Sequence, residues 1–323
     1  MKTIENLGLK VIPSDYIDEL IAKKYFKLFV PKSLGGLELS LNEALPYLIQ
    51  TAEVNPSLGW LHNLCAGANY FCGFFNPSKA EEIFGRKDVV TSGSGKSSGT
   101  FRETTKGYVI NGKWDKCTGA IFATHLTCVA KNEENSEEEK TFILPAELIL
   151  VKDDWTNFGL KASASYSFEV FEFFVEKDNA FEINVVRSFE NFPIYSVPFD
   201  WFARVCLSAS LEGILKHLIK NFKEEIRNPK PSFLQLLEKL ENTIETLHFK
   251  RKDLVYLIEN NVDNNNIAKV SEGLTLIAQL HKDCYNIVAE LYYLSGIRIT
   301  EEDSPLNWTF KDFLTAIQHF MLK

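Results

Sequence analysis

The feature that most constrains this chain is a double change of hydrophobic period. Helical spacing holds from about residue 14 to 85, a period of two replaces it from Val89 to about Asn184, and helical spacing returns from Phe199 onward. Helices and strands are therefore segregated. A doubly wound parallel sheet needs them to alternate, so that architecture is disfavoured. The pattern predicts an α+β multidomain chain with an N-terminal helical domain over 1–88, an antiparallel β barrel or sandwich over 89–184 and a C-terminal helical bundle over 185–323.

Local signals mark the elements. Ile17, Leu20, Ile21, Tyr25 and Leu28 share a helical face, Pro31 and Gly35-Gly36 break it, and Ser40 with Glu43 forms a capping box for the next helix. Pro56 to Phe75 carries almost no charge and predicts a deeply buried helix, while Asn76-Pro77 opens another that Gly85 closes. In the β zone, aromatic and β-branched residues on either side of Asn111-Gly112 predict a hairpin turning there. The acidic run Glu133 to Glu139 predicts a solvated loop. Thr118-Gly119 interrupts a run that resumes from Ile121 to Ala130, which places a hydroxyl and a flexible backbone where two strands meet. Such a junction can offer N–H groups and a hydroxyl to a flat ligand with polar edges. The last zone predicts four helices near 199–227, 232–260, 267–295 and 305–322, separated by Pro229 and Pro231, by Asn260-Asn261 with Asn264 to Asn266, and by a final turn.

Composition narrows the function classes. With 323 residues, 45% of them apolar and 25 of them Phe, the chain can bury a large core. A net charge of -8 disfavours nucleic acid or an anionic membrane as partner. No apolar run approaches a membrane span and Met1 to Ser14 lacks the apolar core of a signal peptide, so a soluble cytoplasmic chain is expected. The six cysteines, at 65, 72, 117, 128, 206 and 284, show no Cys-x-x-Cys spacing and predict reduced, buried thiols. His125, His217, His248 and His281 have no partners at metal spacing. The stretch Val89 to Ser97 ends Gly-Lys-Ser like a phosphate-binding loop, but Val90 stands where that loop needs glycine and no helical pattern follows Ser97. Lys96 remains a candidate contact for a ligand phosphate.

Several segments, in order, resemble the acyl-CoA dehydrogenase superfamily, including its flavin-dependent monooxygenase branch. They are Pro31 to Leu37, Gly107 to Trp114 with Thr118-Gly119, Trp155 with Gly159 to Ser165, and Ser304-Pro305-Leu306 through Lys311-Asp312 to Gln318-His319. The chain is similar to a shortened, divergent member. The resemblance implies flavin, FAD or alternatively FMN, between the β domain and the last helices. It places Thr118 and Gly119 at the flavin ring, Thr91 and Ser92 on the strand end lining the same pocket, and Ser163 and Ser165 on a hydroxyl-bearing turn nearby. It also implies a homodimer or homotetramer. The apolar residues Phe202, Val205, Leu207, Leu211, Ile214, Leu215 and Leu218 on one long segment point to an oligomer independently.

The chain departs from the family pattern at Lys116, where an aromatic is usual, and at Trp308, where an arginine is common. The usual Arg, Phe-Gly and Gln positions are not recognisable between Asn221 and Leu240. The place of the dehydrogenases' glutamate base falls at His319-Phe320. His319 is therefore the candidate catalytic base, or else a helix-end histidine capping carbonyls or pairing with Asp312. His62, beside Trp60, is either a second polar group at the inferred cavity or a satisfied core histidine. Three functions stay open. The first is an acyl-CoA dehydrogenase-type oxidoreductase acting on an acyl-CoA-like or aromatic small molecule, reoxidised by an electron-transfer partner. The second is a two-component monooxygenase supplied with reduced flavin by a reductase. The third is a non-catalytic binding or scaffold protein with no cofactor bound.

Overall fold

The computed structural model describes residues 9–260 and 267–323. Four helices come first: α1 (Ser14–Ala22), α2 (Leu41–Val54), α3 (Pro56–Asn69) and α4 (Pro77–Phe84). Their starts follow the sequence signals. Ser40 and Glu43 form the reciprocal capping box of α2, and the Asn55 and Asn76 side chains accept from the backbone N–H groups of Leu58 and Lys79, each with proline at the first helical position. Helix α3 is buried nearly all round because it packs against α2, α5 and the first strand of the sheet at once.

Seven strands follow: β1 (Thr91–Glu103), β2 (Gly107–Cys117), β3 (His125–Asn132), β4 (Glu139–Pro145), β5 (Val151–Lys152), β6 (Tyr166–Glu176) and β7 (Ala180–Phe181). They form one sheet in the order β5-β6-β2-β1-β3-β4-β7. The expected wholly antiparallel barrel or sandwich is replaced by a mixed sheet, because β1 and β3 pair in parallel. The cause is the connection. After β2 the chain crosses over the sheet end through the short turn Ala120–Phe122 and re-enters on the far side of β1, running the same way as β1. The sheet core is aromatic, with Trp114 stacked on Phe168 and Phe101, Tyr108 and Phe142 in mutual edge contact.

The hairpin expected at Asn111-Gly112 is also corrected. Strand β2 runs straight through both residues, and the turn between β1 and β2 lies at Thr104 to Gly107, closed by Thr104 N–H to the Gly107 carbonyl at 2.8 Å. Asn111-Gly112 instead marks a bulge against β6, where the Asn111 amide bonds both the backbone N–H and the carboxylate of Glu172. Glycine is needed at 112 because a Cβ there would stand 2.6 Å from Gly99 Cα and 2.8 Å from the Trp114 ring.

Helices α5 (Phe199–Glu225), α6 (Pro231–Asn260), α7 (Ile267–Leu294) and α8 (Pro305–Ala316) complete the chain. Of the expected break between α6 and α7, residues 261 and 264–266 lie outside the described residues, as does most of the Met1 to Ser14 segment. The inference from α5 to an oligomer does not stand. Phe202, Val205, Leu207, Leu211, Ile214, Leu215 and Leu218 are all buried within the one chain. Helix α5 is buried along most of its length because it is the central helix of the bundle, covered by α2, α3, α6 and α8. All six cysteines are free and buried, as composition predicts.

Candidate active site

A cavity of about 180 Å³ opens where α3, the β1 and β3 strand ends, α5 and the C-terminal turn converge. Hydroxyl residues line the sheet side, Ser92 and Ser94 on β1, Thr127 on β3, Thr141 on β4 and Thr118 just past the end of β2, with Gly93 and Gly95 between and beyond the serines. Phe71, Phe199 and Phe202 supply a flat apolar side, and His319 with Phe320 closes the end. No Asp, Glu, Lys or Arg is among the described residues that line it.

The position of Thr118 is set from both sides. Its carbonyl accepts from Ser92 Oγ at 2.6 Å, and its hydroxyl lies 2.8 Å from Ser165 Oγ. Gly119 follows with φ of +76°, and a Cβ there would meet Cys65 Sγ at 2.8 Å, so only glycine lets the turn sit this close to α3. The Gly119 N–H is held by the Ser163 and Ala164 carbonyls at 3.0 and 3.1 Å. Behind Thr118, Ser165 reaches Ser163 Oγ at 2.7 Å, and Ser163 donates to the Leu160 carbonyl at 2.7 Å. Leu160 and Ala164 hold left-handed backbone at φ of +50° and +49°, and the Leu160 N–H donates to Asp312 Oδ1 at 2.5 Å. Burial pushes the Asp312 carboxyl up to about 7, against the opposing pull of that N–H.

His319 caps the last short turn. Its Nδ1 accepts from the Met321 N–H at 3.4 Å, its ring stands edge-on to Trp60 at 5.8 Å, and burial lowers its pKa to about 4. The turn is clamped from two helices: Arg204 of α5 donates to the Met321 and Lys323 carbonyls, and His281 of α7 bonds the Leu322 carbonyl at 3.0 Å. The pairing with Asp312 considered for His319 does not form.

The structure thus brings Ser92, Thr118 and His319 to one cavity, and Ser163 and Ser165 to the layer behind it. Thr91 is fully buried, its hydroxyl without a partner among the described residues, and Gly119 shapes the turn, but neither lines the cavity. His62 is a core histidine, its ring nitrogens 3.0 Å from the Thr51 hydroxyl and the Tyr25 carbonyl. Lys116 is exposed and away from the cavity. The Gly-Lys-Ser stretch is part of β1, with no helix after it. Asn63, Thr127 and Thr141 were missed by sequence reasoning. Asn63 lies four residues before Gly67 on α3, a polar and small pair on one face that was available as a signal, and Thr141 faces Val129 across the β3–β4 ladder. The Asn63 amide nitrogen is buried at the cavity with no partner among the described residues.

Structures of known proteins share this fold. XiaF from Streptomyces sp., solved in complex with FADH2 and glycerol, superposes with a TM-score of 0.88 over 99% of this chain and 87% of that one, at 18% identity. The chain has the acyl-CoA dehydrogenase-like fold. Among sequences, a pigment production hydroxylase of Rhodococcus sp. is 25% identical over 222 residues, which are 66% of this chain and 57% of the relative. The oxygenase subunit HsaA of a flavin-dependent monooxygenase from Rhodococcus jostii is 23% identical over 221 residues, 65% of this chain and 58% of the relative. This chain therefore matches little more than half the length of these relatives. No protein-family model matches the sequence.

Proposed function

We propose that this chain is the oxygenase component of a two-component flavin-dependent monooxygenase, supplied with reduced FAD by a reductase and acting on an aromatic small molecule. The observation that carries this reading is a cavity walled by Thr118 and Ser92 on the sheet side and His319 on the helical side, with aromatic rings between them and no carboxylate. The dehydrogenase reading needs a carboxylate to take a proton next to a thioester carbonyl, and the cavity offers none. The relatives that match the sequence are named as hydroxylases and monooxygenases. The Asn63 amide nitrogen, buried at the cavity with no partner among the described residues, is available to the polar edge of a ligand.

The residues present fit a flavin. Phe71, Phe199 and Phe202 suit the faces of a flat ring, while Asn63, Ser92 and Thr118 suit its polar edges. When bound, reduced flavin supplies the two electrons that activate dioxygen for transfer of one oxygen atom to the substrate. The chain's part is to bind, orient and exclude water. His319 is neutral at pH 7 because its pKa sits at about 4. With Nδ1 accepting from Met321, the ring proton resides on Nε2, so His319 offers a hydrogen bond to a substrate oxygen instead of taking its proton. In this reading His319 is a donor that favours the phenolate form of the substrate, a different role from the base expected from the sequence.

Anaerobic titration of the protein with reduced FAD and FMN tests the cofactor, and mass detection of a hydroxylated phenol tests the reaction. No binding of either reduced flavin sinks the reading. His319→Ala should lower turnover by about 100-fold, the usual effect of removing a donor aimed at a developing oxyanion. His319→Gln separates the two roles. A glutamine can donate but cannot act as base, so partial recovery supports the donor role and none supports the base.

We also propose a homo-oligomer, on evidence other than α5. Tyr293 is 85%, Tyr256 65% and Phe249 56% exposed on α6 and α7, aromatic surface that a second copy of the chain would cover. Light scattering at micromolar concentration should give a multiple of 36.8 kDa. A monomer would count against it.

A further inference from the structure

Resting on the monooxygenase reading above, we propose that the substrate is an aromatic ring with no ionised substituent, because the cavity gives it an apolar bed from α3 and α5 and no counter-charge. The helical side is built by Leu64, Ala68 and Phe71 of α3 and by Phe202, Cys206 and Leu207 of α5. A carboxylate moved from water onto such a surface loses its hydration and needs either a cation or several converging donors in its place. The cavity supplies neither.

No Lys or Arg is among the described residues that line it. Arg204 follows the lining residue Ala203, but its guanidinium is committed to Asp200 Oδ2 at 2.9 Å and to the Met321 and Lys323 carbonyls at 3.4 and 3.3 Å. His319 is neutral at pH 7, since burial holds its pKa at about 4. The chain as a whole carries a net charge of -8, which disfavours the approach of an anion before any contact is made.

The neutral donors are dispersed. Ser92 gives its proton to the Thr118 carbonyl at 2.6 Å, and Thr127 gives its proton to the Ser92 carbonyl at 3.3 Å. Ser94 and Thr141 stand on β1 and β4 with β3 between them, so their backbones are two strand spacings apart, roughly 10 Å. The Asn63 amide comes from α3, on the helical side. A carboxylate meets such donors singly and stays under-solvated. An uncharged hydroxyl needs only one of them.

The test compares 4-hydroxyphenylacetamide with 4-hydroxyphenylacetate, which match in size and differ in charge, and includes p-cresol as the plain ring. The charge lies one carbon from the ring, too close to stay in water while the ring is buried. Dissociation constants are measured anaerobically on protein loaded with reduced FAD, and kcat/KM after oxygen is admitted. In wild type the acid should bind at least about tenfold more weakly than the amide, and its kcat/KM should fall by that factor or more. Ala203 is half-buried at the cavity wall, so Ala203→Arg adds a cation there and should bring the acid level with the amide. Ala203→Gln, of similar reach without the charge, should keep the wild-type ratio. A wild-type ratio below tenfold, or a ratio that moves equally in both variants, would overturn the proposal. The wild-type ratio decides it even if neither variant folds. Failure of all three rings to bind protein that has taken up reduced FAD would also overturn it, while leaving the flavin site standing. Wild type that takes up no reduced FAD would overturn the reading on which it rests.

Discussion

Arg251→Met is expected to destabilise the protein by about 3–5 kcal/mol, the range seen when one partner of a buried ion pair is removed. Arg251 is 1% exposed and pairs with Glu212, which is fully buried on α5. Burial alone would raise the Glu212 carboxyl, but Arg251 and Lys216 outweigh it and hold the group below its ordinary value. Methionine fills the volume of the arginine stem and leaves that carboxylate with Lys216 at 2.7 Å and His248 at 3.2 Å, both nearer to water. Because those two contacts remain, the loss should fall toward the lower end of the range. The guanidinium also donates to the Ser208 carbonyl and hydroxyl at 3.2 and 3.3 Å, and Ser208 bonds His281, which holds the Leu322 carbonyl. The same substitution should therefore loosen the turn that carries His319. Denaturant unfolding of wild type, Arg251→Met and Arg251→Lys measures it. Lysine restores the charge but not the fork, so it should recover part of the loss. A change below 1 kcal/mol in Arg251→Met would show that Glu212 is solvated in a way the packing of α5 on α6 does not suggest.

Segregated periods and caps carried the architecture in the sequence, because each is a local property. Ser40 with Glu43, Asn55-Pro56 and Asn76-Pro77 place three helix starts without any tertiary information. Readings failed where a local signal has two tertiary outcomes. Asn111-Gly112 supplies the backbone freedom of a turn, but the close crossing of Trp114 over Gly99 and Gly112 uses it for a bulge. The apolar run on α5 was read as surface because sequence shows how apolar a helix is and not how many neighbours cover it. At the candidate site, Thr118 and His319 were visible as a polar break and an isolated histidine. The row of hydroxyls behind it was not visible, since it joins Thr118 to Ser165 across 47 residues. Asn63 was hidden for a related reason. On a helix buried nearly all round, a single amide reads as filler until the cavity beside it is seen.

Stability should fall steeply as pH drops from 7 toward 4. Burial lowers the pKa of His62, His125, His281 and His319 to about 4 each. In the unfolded chain these imidazoles take up protons near pH 6.5, whereas the folded chain keeps them neutral until about 4, so the unfolded state binds more protons throughout that window. Stability is complete above pH 6.5 and is lost as pH falls to the folded value, at most on the order of 3 kcal/mol for each histidine. Asp312 opposes this. Its carboxyl is held up at about 7, so the folded state binds its proton first and gains stability as pH falls from 7 to the ordinary carboxylate range. One such group offsets roughly one histidine, leaving a net loss carried by the other three. Below about pH 4.5, carboxylates lowered by their partners, Asp88 by Arg86 and Asp154 by Ser167 among them, add losses of the same sign. Urea midpoints taken across pH 4 to 8 should therefore decline from about pH 6.5 downward, with a total loss of at least about 3 kcal/mol by pH 4. His281→Asn, which replaces a fully interior imidazole with a group that does not titrate, should be less stable at pH 7 yet lose less on acidification. A midpoint that stayed flat or rose from pH 7 to 5 would mean that the buried rings are already protonated or that water reaches them.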